Sequence, residues 1–178
     1  MSQLKVDSIV PSGGVVSGAE GGGIIQVVSE NFTSKVSTSG NGWTTLTGFS
    51  ATITPRSTSN KILVMVKIGV ISSNYGDVSG AFRIQRGGTT ILQGASTGNS
   101  RDRASFRGIS GVNNDHGMAV GMNGIDSPAS TSSLTYTVDC NPQDGTIFCI
   151  NQEYNSNNNG DSYSMNVMSN ITLFEVCN

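Results

Sequence analysis

The chain has 178 residues, a formal net charge of −2, 12% charged side chains and 23 glycines. That length suits one domain, and so weak a charge excludes long-range attraction to a nucleic-acid backbone or an anionic membrane. Valine and isoleucine outnumber leucine and alanine more than two to one, which argues against helices and for pleated strands. Disorder is excluded too, because a 35% hydrophobic fraction gathered in short dense runs can build a core.

Residues 1–23 differ from the rest of the chain. Leu4, Val6, Ile9 and Val10 form a short apolar patch that stops at Pro11, and six of the eleven residues 13–23 are glycine. Glycine offers no side chain to pack. The stretch therefore reads as an anchoring arm with an apolar tip and a glycine-rich neck, ahead of a domain at 24–178. It has no basic leader followed by an apolar core, so it is not a signal peptide. The longest apolar run, 62–66, is too short to span a membrane.

From Ile24 the pattern is strand after strand. Strands are expected at 24–30, 43–54, 61–72, 80–86, 89–93, 103–110, 132–140, 146–153 and 162–177, the last bent near Ser169-Asn170. The run at 61–72 puts Ile62, Val64, Val66, Ile68 and Val70 on one face and Leu63, Met65 and Ile71 on the other. Turn signals such as Gly40-Asn41-Gly42, Gly87-Gly88 and Asp144-Gly145 recur about every ten residues. The expected fold is an all-β antiparallel sandwich, jelly-roll-like, with about eight strands.

Two side-chain patterns call for partners. Arg83, Arg86, Arg101, Arg103 and Arg107 crowd one stretch, and an extended strand would put Arg101, Arg103, Ser105 and Arg107 on one face. Arg83, Arg101, Arg103 and Arg107 are candidate interface arginines, since guanidinium groups anchor contacts by pairing with carboxylates. Cys140, Cys149 and Cys177 cannot all pair. A hairpin with 141–145 as its loop leaves Cys140 and Cys149 out of register, so free thiols and a reducing cytoplasm are expected.

The sequence Leu4-Lys5-Val6-Asp7-Ser8-Ile9-Val10-Pro11, followed by Gly13-Gly14, Gly18-Ala19 and Gly21-Gly22-Gly23-Ile24-Ile25-Gln26-Val27, resembles the opening of small tail-fibre-like virion structural proteins. Those proteins come from tailed bacteriophages of cyanobacteria and other marine bacteria. The resemblance continues at Ser59-Asn60-Lys61-Ile62-Leu63-Val64, Asp126-Ser127-Pro128-Ala129, Thr135-Tyr136-Thr137-Val138 and Ser169-Asn170-Ile171-Thr172-Leu173-Phe174-Glu175-Val176. It implies a non-enzymatic component of a phage particle and assigns no ligand residues.

Chemistry is thinly represented. His116 is the one histidine, in the turn setting Asn113-Asn114-Asp115-His116-Gly117, so a multi-histidine metal centre is impossible. There is no nucleophile elbow, phosphate-binding loop or EF-hand, and the scattered acids nominate no glycosidase pair. No catalytic residue, metal site or cofactor is expected. One segment invites a binding hypothesis: in 151–163, Asn155, Asn157, Asn158 and Asn159 lie between Tyr154 and Tyr163. Amides can donate and accept, and tyrosine faces can stack on sugar rings, so a host-surface glycan is the candidate ligand.

The expectation is a homotrimeric tail-fibre or appendage subunit. Leu4, Val6, Ile9 and Val10 would anchor it to another virion protein in the tail, adaptor or capsid, and the sandwich would face the host. The protein would be made in the host cytoplasm without a signal peptide, with neither nucleic acid nor an inserted membrane as partner. The alternative is a capsid decoration or cement protein, with the arm bracing capsid subunits.

Overall fold

The computed structural model describes residues 23–73, 79–96, 98, 102–109, 117–142, 147–154 and 166–177. The strands are β1 (Ile24–Phe32), β2 (Val36–Thr38), β3 (Thr44–Ile53), β4 (Lys61–Ser73), β5 (Ser79–Arg86), β6 (Thr89–Ile91), β7 (Phe106–Ile109), β8 (Met118–Asp126), β9 (Leu134–Pro142), β10 (Phe148–Ile150) and β11 (Ser169–Val176). Every pairing is antiparallel.

Register merges these eleven strands into eight lines. β11 pairs with β4 over 61–67 and β10 pairs with the same edge of β4 over 71–73, so β10 and β11 are one interrupted strand. β1 pairs with β11 and β2 with β10, making a second interrupted line. In the other sheet β7 and β6 occupy successive stretches of one β5 edge. The first sheet is then β8, β4, β10/β11, β1/β2, and the second is β6/β7, β5, β9, β3. In chain order the first line pairs with the eighth, the second with the seventh, the third with the sixth and the fourth with the fifth. A long hairpin rolled up in this way is a jelly roll.

The core lies between the sheets. Ile62, Val64, Val66 and Ile68 of β4 are buried, as the alternation predicts, and face Phe82, Ile84, Tyr136 and Val138 of the second sheet. Phe32 stacks on Phe49 with centroids 4.9 Å apart, and Phe82 on Phe106 at the same separation. Each such ring contributes roughly 1.5–3 kcal/mol by leaving water.

Three expectations change. β9 and β10 form no hairpin: β9 belongs to the second sheet and β10 to the first, so the chain crosses between sheets after Pro142. All three thiols are free, as expected, with Cys140 and Cys149 both buried. The strand expected at 103–110 begins only at Phe106, as β7 Phe106–Ile109, so Arg103 and Ser105 do not share a strand face with Arg107. The strands β2 and β8 were not expected at all.

Candidate functional site

The roll has two unlike ends. At one, Gly23 and Cys177 are joined by a Cys177 N–H to Gly23 carbonyl bond of 3.0 Å. This is where the N-terminal segment attaches. Two buried carboxylates fasten the same end. Glu175 accepts from the Arg56 backbone N–H and from Asn60 Nδ2, both at 2.6 Å, tying the β3–β4 connection to β11. Asp126, at the tip of β8, accepts from Arg86 Nη1 and, at 2.8 Å, from the Tyr136 hydroxyl. That cluster links the two sheets. Burial, then the Asp126 carboxylate, pushes the Tyr136 hydroxyl well above its ordinary range. At the opposite end lie the strand ends Thr38 and Thr44, Ser73 and Ser79, Ile109 and Met118, and Pro142 and Phe148, whereas the Gly23 end carries the connections 54–60, 87–88 and 127–133.

The outward faces of the two sheets differ in chemistry. On the second, hydroxyl, amide and charged groups dominate. Thr52 and Thr135 share a 2.9 Å hydroxyl bond. Asp139, 1% exposed, accepts from Arg83 Nε at 2.7 Å and from Gln85 Nε2. The Arg83 guanidinium lies 4.7 Å from the Trp43 ring centroid, so aromatic face and carboxylate hold it together. Asp139 Oδ1 has no hydrogen-bond partner among the described residues.

On the first sheet an apolar row crosses all four lines: Ile125 opposite Leu63, Leu63 opposite Phe174, Phe174 opposite Val27. Its two ends are the most open, Ile125 at 49% and Val27 at 54%. Ile24 and Met65 extend the patch on either side, also exposed. The next rows turn polar. Thr172 bonds Ser29 at 2.9 Å, and Asn170 Nδ2 donates to Ser29 Oγ, Glu30 O and Asn31 Oδ1. A shallow groove of about 440 Å³ lies here, lined by Met65, Lys67, Gly121, Asn123, Asn170 and Thr172.

Among the sequence candidates, Leu4, Val6, Ile9 and Val10 lie outside the described residues, as do Arg101, His116, Asn155, Asn157, Asn158, Asn159 and Tyr163. Tyr154 is described, half-buried in a turn after β10. The described candidate arginines have separate places. Arg83 pairs across strands with Asp139; Arg103 Nε donates to the Gly94 carbonyl at 2.6 Å, tying the β6–β7 excursion; Arg107 stands exposed on β7. The sequence showed Leu63 and Met65 on a second apolar face of 61–72 but not their joining with Ile125, Phe174 and Val27 into a row, and Ile71, expected on that face, is instead buried in the core beyond a register shift. Among the described residues no three His, Cys, Asp or Glu side chains gather as a metal site, and no helix is long and apolar enough to cross a membrane.

No protein-family model and no curated protein matches the chain. Among solved structures it is similar to the VP2 subviral particle of infectious bursal disease virus, at 11% identity and TM-score 0.44, covering 99% of this chain and 37% of that one. The Gx strain of the same virus gives 11% and 0.44, and the Gt strain 12% and 0.40, each over 99% of this chain and 42% of the other. The chain thus spans about two-fifths of those proteins. At these scores the likeness does not define a shared fold; the jelly roll stands on the strand register.

Proposed function

We propose that the chain is a non-enzymatic structural protein of a virus particle: a tail-fibre or appendage subunit of a bacteriophage. The segment bearing Leu4, Val6, Ile9 and Val10 holds it to another virion protein, and the opposite end of a trimeric sandwich meets the host surface. The observation that carries this reading is the polarity of the jelly roll. Gly23, where that segment attaches, lies at the opposite end of the roll from the strand ends Thr38, Ser73, Ile109 and Pro142, where the chain passes from one sheet to the other. Loops on a rigid sandwich are suited to recognition, and repeated copies raise weak contacts to useful avidity. The sequence resemblance to tail-fibre-like proteins points the same way. Host-surface glycan is the ligand class for the segment between Tyr154 and Tyr163.

Deleting residues 1–22 is expected to leave a folded domain that no longer enters particles, measured by mass spectrometry of purified virions. Normal incorporation of the truncated protein would sink the reading.

A second reading, capsid decoration, draws support from the apolar outer row, which suits close packing against a neighbour. Copy number separates the two. A handful to tens per particle fits an appendage, and hundreds fit decoration.

A further inference from the structure

We propose that the outer face of the first sheet is where copies of this chain associate with one another, about an axis parallel to the strands. The proposal rests on the multi-copy reading of the protein as a virion subunit and assigns its contact surface.

A solvent-facing sheet normally alternates to polar side chains outside, as the second sheet does with Thr52, Thr135, Gln85 and Arg83. The first sheet instead presents Ile24, Val27, Met65 and Ile125, all exposed, with Leu63 and Phe174 half-buried between them. The patch is continuous from the β8 edge to the β1 edge, since each neighbour in the row is a direct cross-strand partner. Four lines at ~4.8 Å and four rows at ~6.7 Å give a face of roughly 500 Å² in projection. Side-chain relief raises the accessible area above that, towards the roughly 600 Å² per partner at which stable interfaces begin.

Geometry favours a second copy as the occupant. Rotation about an axis parallel to the strands brings each level of one copy against the same level of the next, so the row meets its own equivalent. The rows carry Lys61 and Lys67 and no carboxylate. Both lysines flank the apolar row rather than interrupt it, so their heads can reach water past the margins of the contact. Charge is thereby kept from the centre, as in interface cores. The same axis leaves every Gly23 at one end of the assembly, so that all N-terminal segments can reach one virion surface.

The test is sedimentation of the purified full-length protein with Val27→Asp and Ile125→Asp, and with Thr52→Asp on the second sheet as control. Wild type and Thr52→Asp are expected to run as one closed oligomer. Each of the other two should weaken association by at least about tenfold. Both positions are about half exposed, so circular dichroism and melting temperature should stay at wild-type values. A wild-type monomer at about 100 µM, or an oligomer indifferent to both substitutions, overturns the proposal. A monomer that still enters particles overturns this contact alone, whereas a sensitive oligomer absent from particles overturns the virion reading alone.

Discussion

Asn151 holds a break in the first sheet closed with one side chain. It follows Ile150 directly, at φ 63°, and is fully buried. Its Nδ2 donates to the carbonyls of Phe32 at 2.8 Å and Ser34 at 3.1 Å, and its Oδ1 accepts from Ser169 Oγ at 2.6 Å. Asparagine tolerates the left-handed region better than most residues, and buried acceptors left unpaired cost ~1–3 kcal/mol each. Asn151→Ala is therefore expected to lose about 3 kcal/mol in urea denaturation, and Asn151→Gly less, because glycine relieves the backbone while losing the same bonds. Equal costs would show that φ contributes nothing. In the sequence Asn151 opened an amide-rich stretch that read as a recognition loop. An asparagine that plugs a sheet and one that meets solvent look alike until the partner carbonyls are known.

Buried ionisable groups set the alkaline limit. Burial, and then the Asp139 charge, push the Cys140 thiol from 9.0 up to about 12. The unfolded chain loses that proton first, so the stabilisation is complete below pH 9 and falls as pH rises towards 12. Tyr136 adds a loss of the same sign above its ordinary 10. Urea midpoints should fall steadily from pH 8.5 to 11; a flat profile would contradict the burial of both groups. A thiol reagent at neutral pH should modify Cys177, which is half-buried, and reach Cys140 and Cys149 only on unfolding.

At the scale of elements, the two sheets share a device. Each has a strand line interrupted by an excursion that starts on a residue of positive φ, Leu92 at 50° after β6 and Asn151 after β10. Ser105 closes the β6–β7 break as Asn151 closes the other. Its backbone N–H donates to Phe82 O, and its hydroxyl accepts from Ile84 N–H and donates to Ile91 O, all within 2.9 Å. This is why the alternation across 103–110 misled: Ser105 turns into the sheet break instead of lying on a strand face.

Paired glycines set the distance between sheets. Gly80 faces Gly108 across β5 and β7, and a Cβ on either would collide with Phe148, or with Ile71 and Val120, from the first sheet. Gly108→Val is expected to cost about 2–3 kcal/mol by overpacking, read as a lowered melting temperature; an unchanged one would mean that the sheets yield freely. β8 escaped sequence reading for a related reason. Its run MAVGMNGID holds Gly121 and Gly124, which depress strand propensity, yet pairing with β4 from Ile62 to Ile68 and again at Ile71 supplies the ladder.

For the whole molecule, polarity is the organising property. The N-terminal attachment lies at the end fastened by Glu175 and Asp126, so a pull on that segment is borne by β1 and β11 together. Removing residues 1–22 keeps Gly23 and its bond to Cys177, and the melting temperature is expected to stay within about 2 °C of wild type, since no described core residue is lost. A large drop would mean that the segment is part of the fold.

Charge-poor, β-branched composition and period-two alternation by themselves determined an all-β sandwich and the inward face of β4 as far as Ile68. These are local properties, written in neighbouring residues. Which strands share a sheet, that β9 and β10 part company, that Arg83 is committed to Asp139, and that an apolar row crosses the outer face of the first sheet were decided only in three dimensions. Each depends on register between residues far apart in the chain, which no local pattern specifies. The low charge that first argued against anionic partners thus acquires a positive meaning in the fold: it leaves a sheet face suited to pack against another surface.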